Sequence, residues 1–77
     1  MQTLTLYSRQ GCHLCEDMFE QLEELRAELN FSLDVRDIDT NSNWHQQFDE
    51  LVPVLMQDDT EICRYFLDKV ALEKSLV

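Results

Sequence analysis

The chain predicts an α/β domain: a four-stranded mixed sheet with helices on both faces, in the order β-α-β-α-β-β-α. Three observations predict it. Apolar residues alternate with a period of two in the runs at 2–8 and 31–38. Between those runs, apolar residues recur at helical spacing from His13 to Leu29. The rest of the chain holds one short helical stretch, two strand-length runs around a tight turn, and a last helix, which together leave no segment over.

In the first run, Leu4 and Leu6 share one face and Thr3, Thr5 and Tyr7 the other. Neither face is charged, as suits an interior strand. Arg9-Gln10-Gly11 is a turn, and Gly11 can adopt backbone angles closed to other residues. Leu14, Met18, Leu22, Leu25 and Leu29 then form one helical stripe that Phe19 widens, and Asn30 is a C-terminal stop. Phe31, Leu33 and Val35 alternate with Ser32, Asp34 and Arg36, and Ile38 follows, which describes a strand with one polar face at a sheet edge. A strand, a long helix and a second strand imply a right-handed parallel crossover.

Asn41-Ser42-Asn43 supplies a helix cap, and Trp44, Phe48 and Leu51 mark one face of a short helix. The run from Val52 to Met56 has strand length. Asp58-Asp59 makes a tight turn, and Thr60 to Arg64 returns as an antiparallel strand. Asp68 caps the final helix, with Leu67 and Leu72 as a hydrophobic staple and Val70, Ala71 and Leu76 facing the sheet.

Composition narrows the function. The 77 residues suffice for one small domain, 1–77, with a formal net charge of −10 from 16 acidic and 6 basic residues. The acidic residues are spread as a solvated surface. No basic patch meets the phosphates of nucleic acid, and the same balance disfavours anionic membranes. No signal segment or membrane-length apolar run is present, and three cysteines are too few and odd in number for a secreted disulfide scaffold. The expectation is a cytoplasmic monomer.

The chemistry lies in Cys12-His13-Leu14-Cys15, at the turn from the first strand into the first helix. Two intervening residues bring both sulfurs within one helical turn, close enough for a disulfide. The free N–H groups of a helix N-terminus favour a thiolate there, while Glu16 and Asp17 oppose it. Cys12 is therefore read as the attacking thiol and Cys15 as the resolving one. Cys63 reads as a half-buried strand residue, His45 as solvated, and Trp44 and Phe48 as core.

This order, with Cys12-His13-Leu14-Cys15 after the first strand and Val52-Pro53 opening the third, resembles the thioredoxin fold in its shortest form, and most of all the short bacterial glutaredoxin-like proteins. The resemblance implies a three-layer α/β/α architecture and a cis Pro53 facing the cysteines. It also implies that the Val52 backbone pairs with an extended substrate, and that Arg9, at the position of a family lysine, favours the thiolate or holds a ligand carboxylate. His13 either assists the Cys12 sulfur or is a first-turn surface residue. The chain departs from the family at His13-Leu14 in place of Pro-Tyr and at Leu51 in place of Thr. It also lacks a Gly-Gly pair after the hairpin, where Asp68 follows as a helix cap or as a ligand for the glutathione amino group.

The implied activity is dithiol–disulfide exchange on a protein or small-molecule disulfide, with no tightly bound cofactor or metal. Glutathione or a thioredoxin-reductase-type system would serve as reductant. Two other readings use the same residues: a zinc or iron–sulfur site built on the thiolates, and a non-catalytic binding platform.

Overall fold

Secondary structure follows the hydrophobic pattern closely in the first half of the chain. The computed structural model describes residues 2–76, so the two end positions of the expected 1–77 domain lie outside the described residues. Strand β1 spans Gln2–Ser8, helix α1 His13–Leu29 and strand β2 Phe31–Asp37. A single 3-10 turn, Ile38–Thr40, leads to helix α2, Ser42–Phe48. Strands β3, Val54–Gln57, and β4, Thr60–Arg64, form the hairpin, and helix α3, Lys69–Ser75, closes the chain.

The strands form one sheet in the order β2-β1-β3-β4, which places β1 inside and β2 at an edge. β1 runs parallel to β2, with Gln2 opposite Phe31 and Ser8 opposite Asp37. It runs antiparallel to β3, with Leu6 opposite Leu55. In the hairpin Leu55 faces Cys63 and Met56 faces Glu61, so Ile62 is the extra residue of a bulge. The turn is made by Asp58, whose φ of 53° suits a short polar side chain.

Helices α1 and α3 cover one face of the sheet. Leu4, Leu6, Phe31 and Leu55 from the strands meet Met18 and Leu22 from α1 and Leu72 from α3, all buried. The other face carries α2. There Tyr7 stacks on Phe48 with ring centroids 4.3 Å apart and meets Trp44 edge-on at 5.8 Å. Arg36 lies 5.2 Å over the Trp44 ring, so the polar side of β2 joins this aromatic group. Trp44 and Phe48 are thus packing residues.

Local chemistry ends the helices where expected. Asn30 takes φ 60° and stops α1, donating its N–H to the Arg26 carbonyl. The Asn41 side chain accepts from the N–H groups of Asn43 and Trp44 to start α2, and Asp68 accepts from Ala71 to start α3.

Four expectations need correction. Leu51 lies beyond α2, tied to it by its N–H to the Phe48 carbonyl. Val52 and Pro53 precede β3 and do not form part of it. Ile38 is buried in the 3-10 turn after β2. In α3, Val70 is 63% exposed and Leu72 is the residue sealed against the sheet. Among the described residues, no helix is long and apolar enough to cross a membrane.

Candidate functional site

Cys12 is the N-cap of α1. Its backbone is extended, at φ −102° and ψ 109°, and its carbonyl accepts the N–H of Glu16 at 3.0 Å. A serine or aspartate would normally present an oxygen to the first turn from this position. Here the Cys12 Sγ takes that place, accepting the Cys15 N–H at 3.2 Å. The preceding Gly11 has φ 74°, the left-handed region, which lets β1 turn abruptly into the helix.

The two cysteines are joined as a disulfide, with Cα atoms 5.2 Å apart. Their environments differ. Cys12 is partly exposed, whereas Cys15 is 3% exposed and packs with Ile38 and Val52. One sulfur is thus reachable and the other lies behind it.

The Val52–Pro53 peptide bond is cis and both residues are buried, Val52 in the same cluster as Cys15. The Pro53 carbonyl accepts the N–H of Tyr65 at 2.9 Å. The N–H and C=O of Val52 form no hydrogen bond with any described residue. Tyr65, at φ 66°, stands in the loop where the sequence lacks the glycine pair, and its hydroxyl donates to the Glu50 carbonyl at 3.1 Å. The β4–α3 loop is thereby fastened to the segment leading into Val52.

Arg9, expected to favour the thiolate or to hold a ligand carboxylate, is held by two carboxylates of the chain itself. Its Nη2 lies 2.7 Å from Asp39 Oδ1 and its Nη1 3.1 Å from Asp49 Oδ1, with a further bond to the Asp49 carbonyl. These hydrogen bonds push the Arg9 pKa up, and the same contact holds the Asp39 carboxyl below its ordinary range. Arg9 fastens the β1–α1 turn to the 3-10 turn and to the end of α2. His45 joins the cluster, with Nε2 3.4 Å from Asp49 Oδ1. His13 is exposed on the first turn of α1. Cys63 is half-buried on β4, and burial raises its thiol pKa, so it stays protonated at neutral pH. Asp68 spends its side chain on the cap of α3.

Two depressions flank the cysteines. A cleft of about 500 Å³ opens between the start of α1 and the end of β2, lined by Gly11, Cys15, Glu16, Phe19, Val35 and Asp37 among others. A smaller one of about 150 Å³ lies between Leu14, Asp17 and Gln21 of α1 and Tyr65, Phe66 and Leu67 of the β4–α3 loop. Neither the loop aromatics nor the partners of Arg9 were legible as site residues. The nearest signal was the pair Tyr65-Phe66 in a loop, where large aromatics need a reason to be exposed.

Known proteins share this fold. A solution structure of protein Ne2328 from Nitrosomonas europaea superposes with a TM-score of 0.85 at 38% identity, over 99% of this chain and 92% of that one. The X-ray structure of protein XcR50 from X. campestris gives 0.74 at 29% identity, over 95% and 93%. Thioredoxin 1 of Thermosipho africanus, at 16% identity, shares the fold with a TM-score of 0.64, over 95% of this chain and 90% of that one. The uncharacterized protein Rv0508 of Mycobacterium tuberculosis is 30% identical over 92% of this chain and 78% of its own length. The model of the glutaredoxin-like domain (DUF836) matches residues 3–77, and with the N-capping Cys12, the buried Cys15 and the thioredoxin-like sheet in place, the chain belongs to that glutaredoxin-like family.

Proposed function

We propose that this protein is a thiol–disulfide oxidoreductase acting through Cys12 and Cys15. The observation that carries the reading is the position of the Cys12 sulfur. It caps a helix, accepts a backbone N–H, and is partly exposed with Cys15 buried behind it. A helix N-terminus stabilises negative charge on such a sulfur, and the thiolate is the attacking species.

In the reduced protein, the Cys12 thiolate attacks a substrate disulfide. A Cys12–substrate S–S bond forms, the substrate S–S bond breaks, and the leaving thiolate takes a proton from solvent. Cys15 then loses its proton and attacks the Cys12 sulfur. The Cys12–Cys15 bond forms and the second substrate sulfur leaves as a thiolate. Two electrons have passed from the dithiol to the substrate. An external thiol such as glutathione, or a reductase of the thioredoxin-reductase type, returns them in a reducing, cytoplasmic setting. Val52 packs with Cys15, and its N–H and C=O, without partners among the described residues, are suited to hold an extended substrate by strand-like hydrogen bonds.

The test is trapping. Cys15→Ser should accumulate a covalent adduct on Cys12 when mixed with a disulfide, seen as the added mass of one substrate half. Cys12→Ser should form none and should reduce disulfides no faster than free thiol. Equal turnover by Cys12→Ser and the native chain would overturn the reading.

A further inference from the structure

We infer that the disulfide this site takes is carried by a polypeptide whose flanking residues are apolar and cationic, a substrate class that rests on the dithiol reading above. Three observations converge on it. The first is an apolar rim. Phe66 is 70% exposed and Tyr65 37% exposed, in the loop that meets Leu14, one of the two residues between the cysteines. A large aromatic left in water next to Leu14 of the Cys-x-x-Cys turn offers area that a substrate side chain can cover.

The second is charge. The two depressions beside the start of α1 are lined by the carboxylates of Glu16, Asp17, Glu20 and Asp37, and Arg9 is the one Lys or Arg among their lining residues, so acidic groups outnumber basic ones by four to one. Asp49 is already paired with Arg9, and the Arg9 charge is in turn consumed by Asp39 and Asp49. An anionic substrate therefore meets repulsion from either side with no free guanidinium to receive it, whereas a lysine or arginine next to the substrate cysteine meets complementary charge.

The third is the backbone. Val52 presents an N–H and a C=O without partners among the described residues. A peptide can answer both in extended form, and a small disulfide without a peptide backbone cannot.

The experiment compares kcat/KM of the reduced protein, at low salt, for five disulfides. These are neutral 2-hydroxyethyl disulfide, oxidised glutathione, and three mixed-disulfide peptides that place Lys-Leu, Lys-Gly or Glu-Gly around the cysteine. Failure to reduce even hydroxyethyl disulfide would overturn the dithiol reading itself, and this inference with it. With that reaction present, the Lys-Leu peptide should exceed the Glu-Gly peptide and oxidised glutathione by about tenfold or more, the lower end of electrostatic steering. High salt should shrink the gap.

Asp17→Lys should lower the preference for the cationic peptide. Glu28→Lys, the same charge change at the other end of α1, should lower it much less. Phe66→Ala should lower the advantage of a leucine-flanked over a glycine-flanked cationic peptide by about fivefold, in the range of a moderate interface contact. Oxidised glutathione reduced as fast as the Lys-Leu peptide would overturn the inference. So would equal loss of preference in Asp17→Lys and Glu28→Lys.

Discussion

The guanidinium of Arg9 lies against the Asp39 carboxylate, and that single contact has a pH signature. Asp39 sits below its ordinary range mainly because Arg9 donates hydrogen bonds to it. The unfolded chain therefore takes up a proton there at a higher pH than the folded one. The stability it contributes is full above an ordinary Asp value of about 3.9 and is lost as pH falls through the lower, folded value. Asp39→Asn should thus lower the urea midpoint of the reduced protein at pH 7, with a smaller difference from the native chain at pH 3. High salt should also narrow it, since the pair is exposed to solvent. A difference that does not change between pH 7 and pH 3 would show that the ion pair contributes nothing. The role of Arg9 was not legible because its partners follow it by 30 and 40 residues. The places of Cys12 and Cys15 were legible because a turn and a helix start are local events marked by residue type, whereas the cis bond at Pro53 was expected from the family resemblance alone.

At the scale of elements, the long helix and the strands next to it were readable and the short helix at the end only partly. α1 repeats its stripe over enough turns that one phase alone fits it. α3 has two turns, so the period leaves its phase open, and the exposed Val70 and buried Leu72 show which phase the sheet selected. β2 has the predicted alternation, but burial fades along it: Phe31 is 2% exposed and Val35 45%. The end of the strand faces the open cleft beside α1. A two-turn helix has little stability of its own and leans on its cap and its one sealed side chain. Asp68→Ala removes the bond to the Ala71 N–H and should cost about 1 kcal/mol, the usual value for an N-cap aspartate. Urea denaturation measures it, and Asp68→Asn, which keeps an oxygen at the cap, should recover most of it. An undiminished midpoint in Asp68→Ala would mean that packing of Leu72 alone sets this helix.

For the molecule as a whole, length limits what any one residue can lose. A domain of 77 residues has a total stability of about 4–12 kcal/mol. Leu22 is fully buried among Leu4, Leu6, Met18, Phe31, Leu55 and Leu72, where both helices of that face meet the sheet. Truncating it opens a cavity that these neighbours from five elements cannot all close. Leu22→Ala should cost about 3 kcal/mol. Val70→Ala, also an apolar truncation, should stay within about 0.5 kcal/mol because Val70 is 63% exposed. Urea midpoints of the two variants separate these cases, and equal losses would contradict the placement of the core. The same helix that carries Leu22 presents Cys12 at its first turn, two to three turns away. The loss in Leu22→Ala should therefore appear in the fraction folded and not in the chemistry: at low temperature, where that variant is still mostly folded, its thiol exchange rate per folded molecule should match the native chain. A lower rate per folded molecule would show that the core residue also sets the position of the Cys12 sulfur.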